Sequence, residues 1–316
     1  MPINRKTLQL EDDHLSHTPH VDPILQPGTL WDRVIHQTQA ALQSGALQPI
    51  ATQSEVLQQG EIKFLVRILA HFERKEAWQR QQGGRNVNPF LPYDPDLFVA
   101  DLTPTHLCLL NKFNVVDHHL LIVTRAFEPQ EDLLNPQDFT ALWLTLQEVR
   151  GLGFYNSGKR AGASQPHKHL QLVPLPLTPE QDLPIAALLQ LALQAGTDTL
   201  PSLPFVHAFT PLALPADLSP PQAGLILWQN YLQLRRSVGW EDRPQDEPPP
   251  YNLLITREWM LLVPRTAETC ATIAVNALGF AGAMLVRNLE QLDTLKAIGP
   301  LSILAGVAIP KPADLE

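Results

Sequence analysis

Cysteine is scarce in this chain: 2 occur in 316 residues, Cys108 and Cys270, and no CxxC pair exists. That excludes a disulfide framework and a cysteine-based zinc site, and two reduced thiols in apolar stretches are expected. Long hydrophobic runs are missing too. No stretch reaches the roughly 18 apolar residues a membrane helix needs. The opening segment MPINRKTLQLEDDH has no apolar core and is not a signal peptide. A cytoplasmic protein without membrane contact is therefore expected. Positive charge is also short: 23 Lys and Arg face 32 Asp and Glu, for a formal net charge of −9. This balance argues against a basic surface for nucleic acid, but it says nothing about one basic cleft for phosphates. No internal repeat is present.

What the chain does have is apolar mass. With 44% hydrophobic residues it can bury one large core or two ordinary ones. Residues 1–28 are polar, with prolines at 2, 19, 23 and 27, and read as an N-terminal arm. Residues 29–44 carry apolar positions at helical spacing, and Gly45 is a natural stop. Strands are expected at 47–57 and 61–70 around a turn at Gln59-Gly60, followed by a polar loop over 74–89. Further short strands fall at Phe98–Leu102, His106–Phe113 and His119–Thr124. Asn135 and Pro136 mark the start of a helix running to Val149. Phe154–Asn156 is extended, a Gly/Ser loop follows, and a strand runs from His167 to Val173. After a connector at 174–184, helices are expected at 184–194 and within 217–239. A Pro-rich loop at 241–250, the strands YNLLIT and WMLLVP, two helices and a short apolar tail complete the chain. Strand runs with helices at intervals give an α+β fold rather than strict βαβ alternation.

The chemistry concentrates in Tyr155–Pro176, YNSGKRAGASQPHKHLQLVPLP. On a strand, period two puts His167, His169 and Gln171 on one face, spread over about 13 Å, with Lys168 and Leu170 on the other. The preceding loop, Ser157 to Gln165, is built of small residues and lets backbone N–H groups approach phosphate oxygens. A histidine nucleophile beside a phosphate cradle makes a coherent phosphoryl-transfer site. Other readings stand beside this one. His-x-His also suits half a zinc site, with His118 or His119 as a further ligand. The loop can be an ordinary surface turn, and Lys159 and Arg160 can be solvated charges. His118 and His119 can border a nucleotide or hold a strand edge. Asn111 and Lys112 can face the nucleotide or solvent.

The segment GASQPHKHLQ resembles the His-x-His-x-Gln transferases of the histidine-triad (HIT) superfamily. Within it the chain looks like the diadenosine tetraphosphate (Ap4A) phosphorylases, or ATP adenylyltransferases. The resemblance runs from about Leu30 to the C-terminus. It includes NPFLPYDPDLFV, HLCLLNKFNVVDHHLLIVTR, YNLLITREWMLLVPR and NALGFAGAMLV in family order. Two departures stand out: Lys159-Arg160 replace smaller loop residues, and Arg287 stands where lysine is usual. The resemblance implies an HIT-like antiparallel sheet with flanking helices. It divides the chain into a catalytic region at 29–178 and a C-terminal region at 179–316 packing against it. It also implies phosphorolysis of Ap4A to ATP and ADP, or the reverse, through an AMP–histidine at His169.

His167 would position that nucleophile. Gln171, which cannot protonate a leaving group, fits transfer to phosphate rather than hydrolysis. Asn156 and Gly162, Ala163, Ser164 and Gln165 would hold the reacting phosphates. Lys63 would reach them from a strand beside HKHLQ, Asn88 and Pro89 would border the nucleoside, and Asn276, Gly279 and Arg287 would form a further wall. No metal bound by the protein is implied, though Mg2+ or another divalent cation can travel with the nucleotide. Ap4A, ATP, ADP and phosphate would be the partners of a nucleotide-binding, ATP-binding enzyme. No apolar interface helix stands out, so a monomer is expected. The rivals are a hexose-1-phosphate uridylyltransferase, in which proline commonly separates the histidines, and a catalytically silent nucleotide sensor, which would lack His169.

Overall fold

The computed structural model describes residues 24–69, 88–240 and 248–311. The helices are α1 (Leu30–Ser44), α2 (Pro136–Glu148), α3 (Ala186–Ala195), α4 (Pro220–Ser237), α5 (Ala277–Phe280), α6 (Leu289–Ile298) and α7 (Pro300–Val307). The strands are β1 (Thr52–Gln59), β2 (Ile62–Leu69), β3 (Phe98–Asp101), β4 (His106–Leu110), β5 (Leu120–Thr124), β6 (Gly151–Asn156), β7 (His169–Pro174), β8 (Ala208–Pro211), β9 (Tyr251–Ile255), β10 (Trp259–Pro264), β11 (Thr269–Cys270), β12 (Ile273–Ala274) and β13 (Ala283–Val286).

The centre is one eight-stranded sheet in the order β3-β4-β5-β7-β6-β9-β10-β8. All its pairings are antiparallel. Strands from before and after residue 178 share it, with β6 paired to β9. The C-terminal region therefore contributes strands to the same sheet, besides packing against it.

One face of the sheet is closed by α1, α2 and α4. Tyr155, Leu170, Leu172, Leu253 and Leu262 pack there against Leu142, Leu146 and Leu227. Helix α2 starts as its sequence dictates: Asn135 and Asp138 form a reciprocal capping box ahead of Pro136. Helix α4 crosses it at Gly224, where a Cβ would lie 2.3 Å from Thr140 Oγ1. Only the absence of a side chain permits that approach.

The opposite face carries Phe154, Val173, Leu254 and Val263. These pack against Ile62, Phe64 and Val66 of a second, three-stranded sheet ordered β1-β2-β13. Its β13 runs parallel to β2. That pairing of residues more than two hundred positions apart had no local sequence signal, nor did β8.

Several boundaries shift for identifiable reasons. Residues 47–50 do form sheet-like hydrogen bonds, but to the 112–114 segment (Gln48 N–H to Lys112 C=O 2.8 Å, Ile50 N–H to Asn114 C=O 2.9 Å), so β1 proper starts at Thr52. Strand β4 stops at Leu110 because Asn111 accepts the Phe113 N–H in a side-chain turn. Strand β7 starts at His169, since Lys168 N–H turns instead to Glu128 C=O at 2.8 Å. Of the expected N-terminal arm, only residues 24–28 are described; Leu25 is buried and Ile24 N–H reaches Leu102 C=O at 2.9 Å. Most of the loops expected at 74–89 and 241–250 lies outside the described residues. Helix α3 leaves Leu191 and Leu193 exposed.

Candidate active site

His169 opens β7 and faces the same side of the sheet as Gln171 and Phe154, which pair directly across β7 and β6. Beyond that pair the two strands part. The carboxamide of Gln130 fills the gap: it accepts the His169 N–H at 2.8 Å and donates to the carbonyls of Asn156 at 2.8 Å and His169 at 3.2 Å. A side chain thus replaces the ladder where the loop 157–166 leaves the sheet, and it fixes the backbone of the candidate nucleophile. Gln130 had no signal in the sequence.

His169 is buried, with 4% of its surface exposed. Its Nδ1–H donates to the carbonyl of His167 at 2.8 Å. Burial pushes its pKa down to about 4, with the His167 backbone bond opposing weakly, so the ring is neutral near pH 7. A proton on Nδ1 leaves the lone pair on Nε2, which has no hydrogen-bond partner among the described residues. Phe90 sits against the ring, centroids 5.3 Å apart.

His167 is held by a second chain of bonds. Asn88 Oδ1 accepts the Phe90 N–H at 3.0 Å, which turns Asn88 Nδ2 toward His167 Nδ1 at 2.9 Å. The other ring nitrogen, Nε2–H, donates to Thr124 C=O at 2.8 Å. Burial lowers the pKa of this ring as well. Phe90 and Phe127 meet its edges at 5.5 and 5.4 Å. Asn88 therefore spends its amide on His167 and on a turn. It joins the site as an anchor of the histidine, and Pro89 follows it in the same turn.

Behind the strand, Lys168 is only 1% exposed. Its Nζ contacts Asp138 Oδ2 at 2.9 Å and Glu128 Oε2 at 3.1 Å, and donates to Leu133 C=O at 3.1 Å. Burial alone would lower its pKa, but Asp138 and Glu128 outweigh burial and raise it. Asp138 shows the converse: burial would raise its pKa, yet His106 at 3.0 Å and Lys168 hold it low. The period-two reading put Lys168 on the far face, and it lies there; that it would be buried and paired was not legible.

The phosphate-loop candidates meet the C-terminal region. Asn156 Oδ1 accepts from Asn252 Nδ2 at 2.8 Å and from the Ala277 N–H at 2.9 Å, and its Nδ2 has no hydrogen-bond partner among the described residues. Gly162 has φ +92, and a Cβ there would lie 2.6 Å from Val275 C=O, so both conformation and space require glycine. Ala163 N–H bonds back to Gly158 C=O at 3.1 Å. Ser164 is exposed and Gln165 half-buried, while Lys159 and Arg160 point to solvent.

Arg265, unforeseen from sequence, locks this junction. All its donors are used: Val307 C=O (3.2 Å), Ala161 C=O (3.2 Å), Asn252 Oδ1 (2.5 Å), Ala267 C=O (2.8 Å) and Val275 C=O (2.9 Å). Burial lowers its pKa to about 10, still fully charged near neutrality.

The remaining candidates fall elsewhere. Lys63 is exposed on β2, paired with Gln58 in the small sheet. Its strand does not lie beside β7, as had been expected; β7 is flanked by β5 and β6. Phe64 and Val66 explain why: they belong to the core between the two sheets. Asn276 caps α5 by accepting the Leu278 N–H at 3.1 Å. Gly279 is buried, and a Cβ would meet Val275 Cγ1 at 3.0 Å and Leu304 Cδ2 at 3.3 Å, so the packing there leaves little room for a side chain. Arg287 is exposed just past Val286, which pairs with Ile68 at the end of β2 away from Lys63.

Among the described residues no group of three His, Cys, Asp or Glu could hold a metal. His119, one of the possible third ligands, instead bonds Gln171 Oε1 at 3.0 Å. No helix among them is long and apolar enough to cross a membrane.

This arrangement has known counterparts. The Ap4A phosphorylase N-terminal domain family matches residues 20–191, and the ATP adenylyltransferase C-terminal domain family matches 201–310. Diadenosine 5',5'''-P1,P4-tetraphosphate phosphorylase 2 of Saccharomyces cerevisiae is 27% identical over 284 residues, covering 81% of this chain and 86% of the relative. Protein APA1 of the same yeast is 29% identical over 202 residues, 59% of this chain and 63% of its own. The crystal structure of yeast Ap4A phosphorylase Apa2 in complex with AMP superposes with a TM-score of 0.75 at 25% identity, covering 92% of this chain and all of that one. Motif, sheet and both family matches agree, and the chain belongs to the Ap4A phosphorylase / ATP adenylyltransferase family.

Proposed function

We propose that the protein splits Ap4A by phosphorolysis, giving ATP and ADP, and catalyses the reverse reaction when products accumulate. The observation that carries this reading is the neutral His169 ring, its Nδ1–H spent on the His167 carbonyl at 2.8 Å and its Nε2 left bare. That is the form in which an imidazole attacks. Nε2 would displace ATP from the α-phosphorus of the dinucleotide, forming a P–N bond as the P–O bond to the leaving polyphosphate breaks. Phosphate would then attack the AMP–histidine, releasing ADP and restoring the ring. Gln171 has no titratable proton, so the leaving group must depart as a stable polyphosphate, which suits transfer better than acid-assisted hydrolysis.

The unused amide donor of Asn156 and the backbone of Gly162, Ala163, Ser164 and Gln165 would bind the reacting phosphates. Lys63, exposed on β2 between the buried Ile62 and Phe64, would have to reach the distal ones as a flexible point charge. Yeast Apa2 has been crystallised with AMP and with Ap4A, which supports the choice of substrate. A divalent cation would come with the nucleotide, and a cytoplasmic location fits the substrates.

Product chromatography of Ap4A with and without phosphate tests the reading. ATP and ADP should form only with phosphate. Rapid AMP release that ignores phosphate would mean a hydrolase, and no turnover at all would leave a nucleotide-binding protein.

A further inference from the structure

An amide has two ends, and only one of them helps a phosphate. Gln171 presents either its NH2, a donor to phosphoryl oxygens, or its carbonyl oxygen, which repels them. In this fold the choice is not left to Gln171. It is passed along three side chains from a backbone group whose polarity is beyond doubt.

The Phe113 N–H can only donate, and it donates to Asn111 Oδ1 at 3.4 Å. This turns Asn111 Nδ2 toward His119, whose Nδ1 lies 3.1 Å away and must accept. A neutral imidazole accepting at Nδ1 carries its proton on Nε2. Nε2 lies 3.0 Å from the amide of Gln171, so the carbonyl oxygen Oε1 has to face His119. The Gln171 NH2 then points away, on the face of β7 that carries His169. His119 is 7% exposed and packs against Phe154 with ring centroids 5.8 Å apart, so water does not compete for its nitrogens.

The same device occurs once more in the site. Asn88 takes the Phe90 N–H and hands a donor to His167 Nδ1, which fixes Nε2–H on that ring as well. Asn-x-Phe thus precedes each of the two oriented histidines.

We propose that Asn111 and His119 are positioning residues that lock Gln171 with its NH2 toward the transferred phosphoryl group. The proposal rests on the phosphorolysis reading for the identity of that group, and on hydrogen-bond polarity alone for the direction of the amide.

The test reverses the relay. In Asn111→Asp one carboxylate oxygen still accepts the Phe113 N–H, but the other now faces His119 Nδ1 and calls for a proton there. At about pH 8.5, above the ordinary histidine range, the ring stays neutral, Nε2 is left bare and Gln171 turns its NH2 away from the substrate. Turnover of Ap4A with phosphate should fall about tenfold to a hundredfold in kcat, with KM within about threefold. In a Gln171→Met background the same substitution should change kcat by less than about twofold, because the amide it acts through is gone. His119→Phe, which keeps the packing on Phe154, provides a second such cycle if Asn111→Asp folds poorly. Two-bond proton–nitrogen spectra should give the Nε2–H tautomer for His119 in the wild type and the Nδ1–H tautomer in Asn111→Asp. Equal losses in both backgrounds, or a wild-type His119 protonated on Nδ1, would overturn the relay. A wild type that makes no ATP and ADP would sink the functional reading instead, and the spectra would still decide the relay.

Discussion

Lys168→Met removes the charge behind the candidate nucleophile while keeping most of the side-chain volume. Lys168 is 1% exposed and Asp138 fully buried, so neither has water to fall back on. Without the ammonium, the Asp138 carboxylate keeps only His106 Nε2 at 3.0 Å and the Asn135 N–H at 2.8 Å, and Leu133 C=O loses a donor. Breaking a buried pair by deleting one partner costs about 3–5 kcal/mol, mainly for the charge left behind. Total stabilities run to about 5–15 kcal/mol, so this is a large share. The melting temperature should fall by roughly 4–8 °C, at about 1.5 °C per kcal/mol, because the unfolding entropy grows with chain length and this chain has 316 residues. Asp138→Asn combined with Lys168→Met removes both charges, and the carboxamide can still serve His106 and Asn135. The double variant should recover at least about 2 kcal/mol over Lys168→Met alone. Urea unfolding of the four proteins of the cycle measures this directly. A cost below about 1 kcal/mol for Lys168→Met would refute the reasoning, since it would mean that water reaches the pair.

Other consequences are as direct. His169→Ala should lower Ap4A phosphorolysis by at least about a thousandfold with the fold retained, measured as turnover beside melting temperature; activity within about tenfold of wild type would remove the nucleophile assignment. Lys63→Met should lower kcat/KM for Ap4A about tenfold or more without changing stability, because the side chain is exposed; equal values would place it outside the phosphate path. Acid should unfold the protein early: burial first of all lowers His119, His169 and His207 from 6.5 to about 4, so the folded state resists protons that the unfolded chain takes up. Stability should hold above pH 6.5 and drop as pH falls toward 4, at up to ~4 kcal/mol per pH unit if all three contribute; constant urea midpoints across that window would count against neutral buried rings.

Much of the site was legible in the sequence because it is local. Period two along HKHLQ was enough to separate His169 and Gln171 from Lys168, and Asn135-Pro136 was enough to start α2, since such patterns depend on neighbours a few residues apart. Gly162 stood in a small-residue loop read as a phosphate cradle, and its close approach to Val275 came only with the fold. The sequence also carried the family, through blocks spaced along most of the chain. What it did not carry was long range. Gln130 mends the gap between β6 and β7 from outside both strands, and Arg265 gathers carbonyls from loops more than a hundred residues apart. Lys63 could not be placed because β2 chooses its sheet by the burial of Phe64 and Val66, and its parallel partner β13 lies over two hundred residues away. Gly279 entered through the family resemblance, and only the fold shows that Val275 and Leu304 close around it. Nor could any pattern say which nitrogen of His119 or His169 bears the proton. That depends on which donors and acceptors the folded chain brings within 3.1 Å of each ring. Spacing along the chain determined which side chains share a face; only the tertiary structure decided which of them are buried, neutral and aimed.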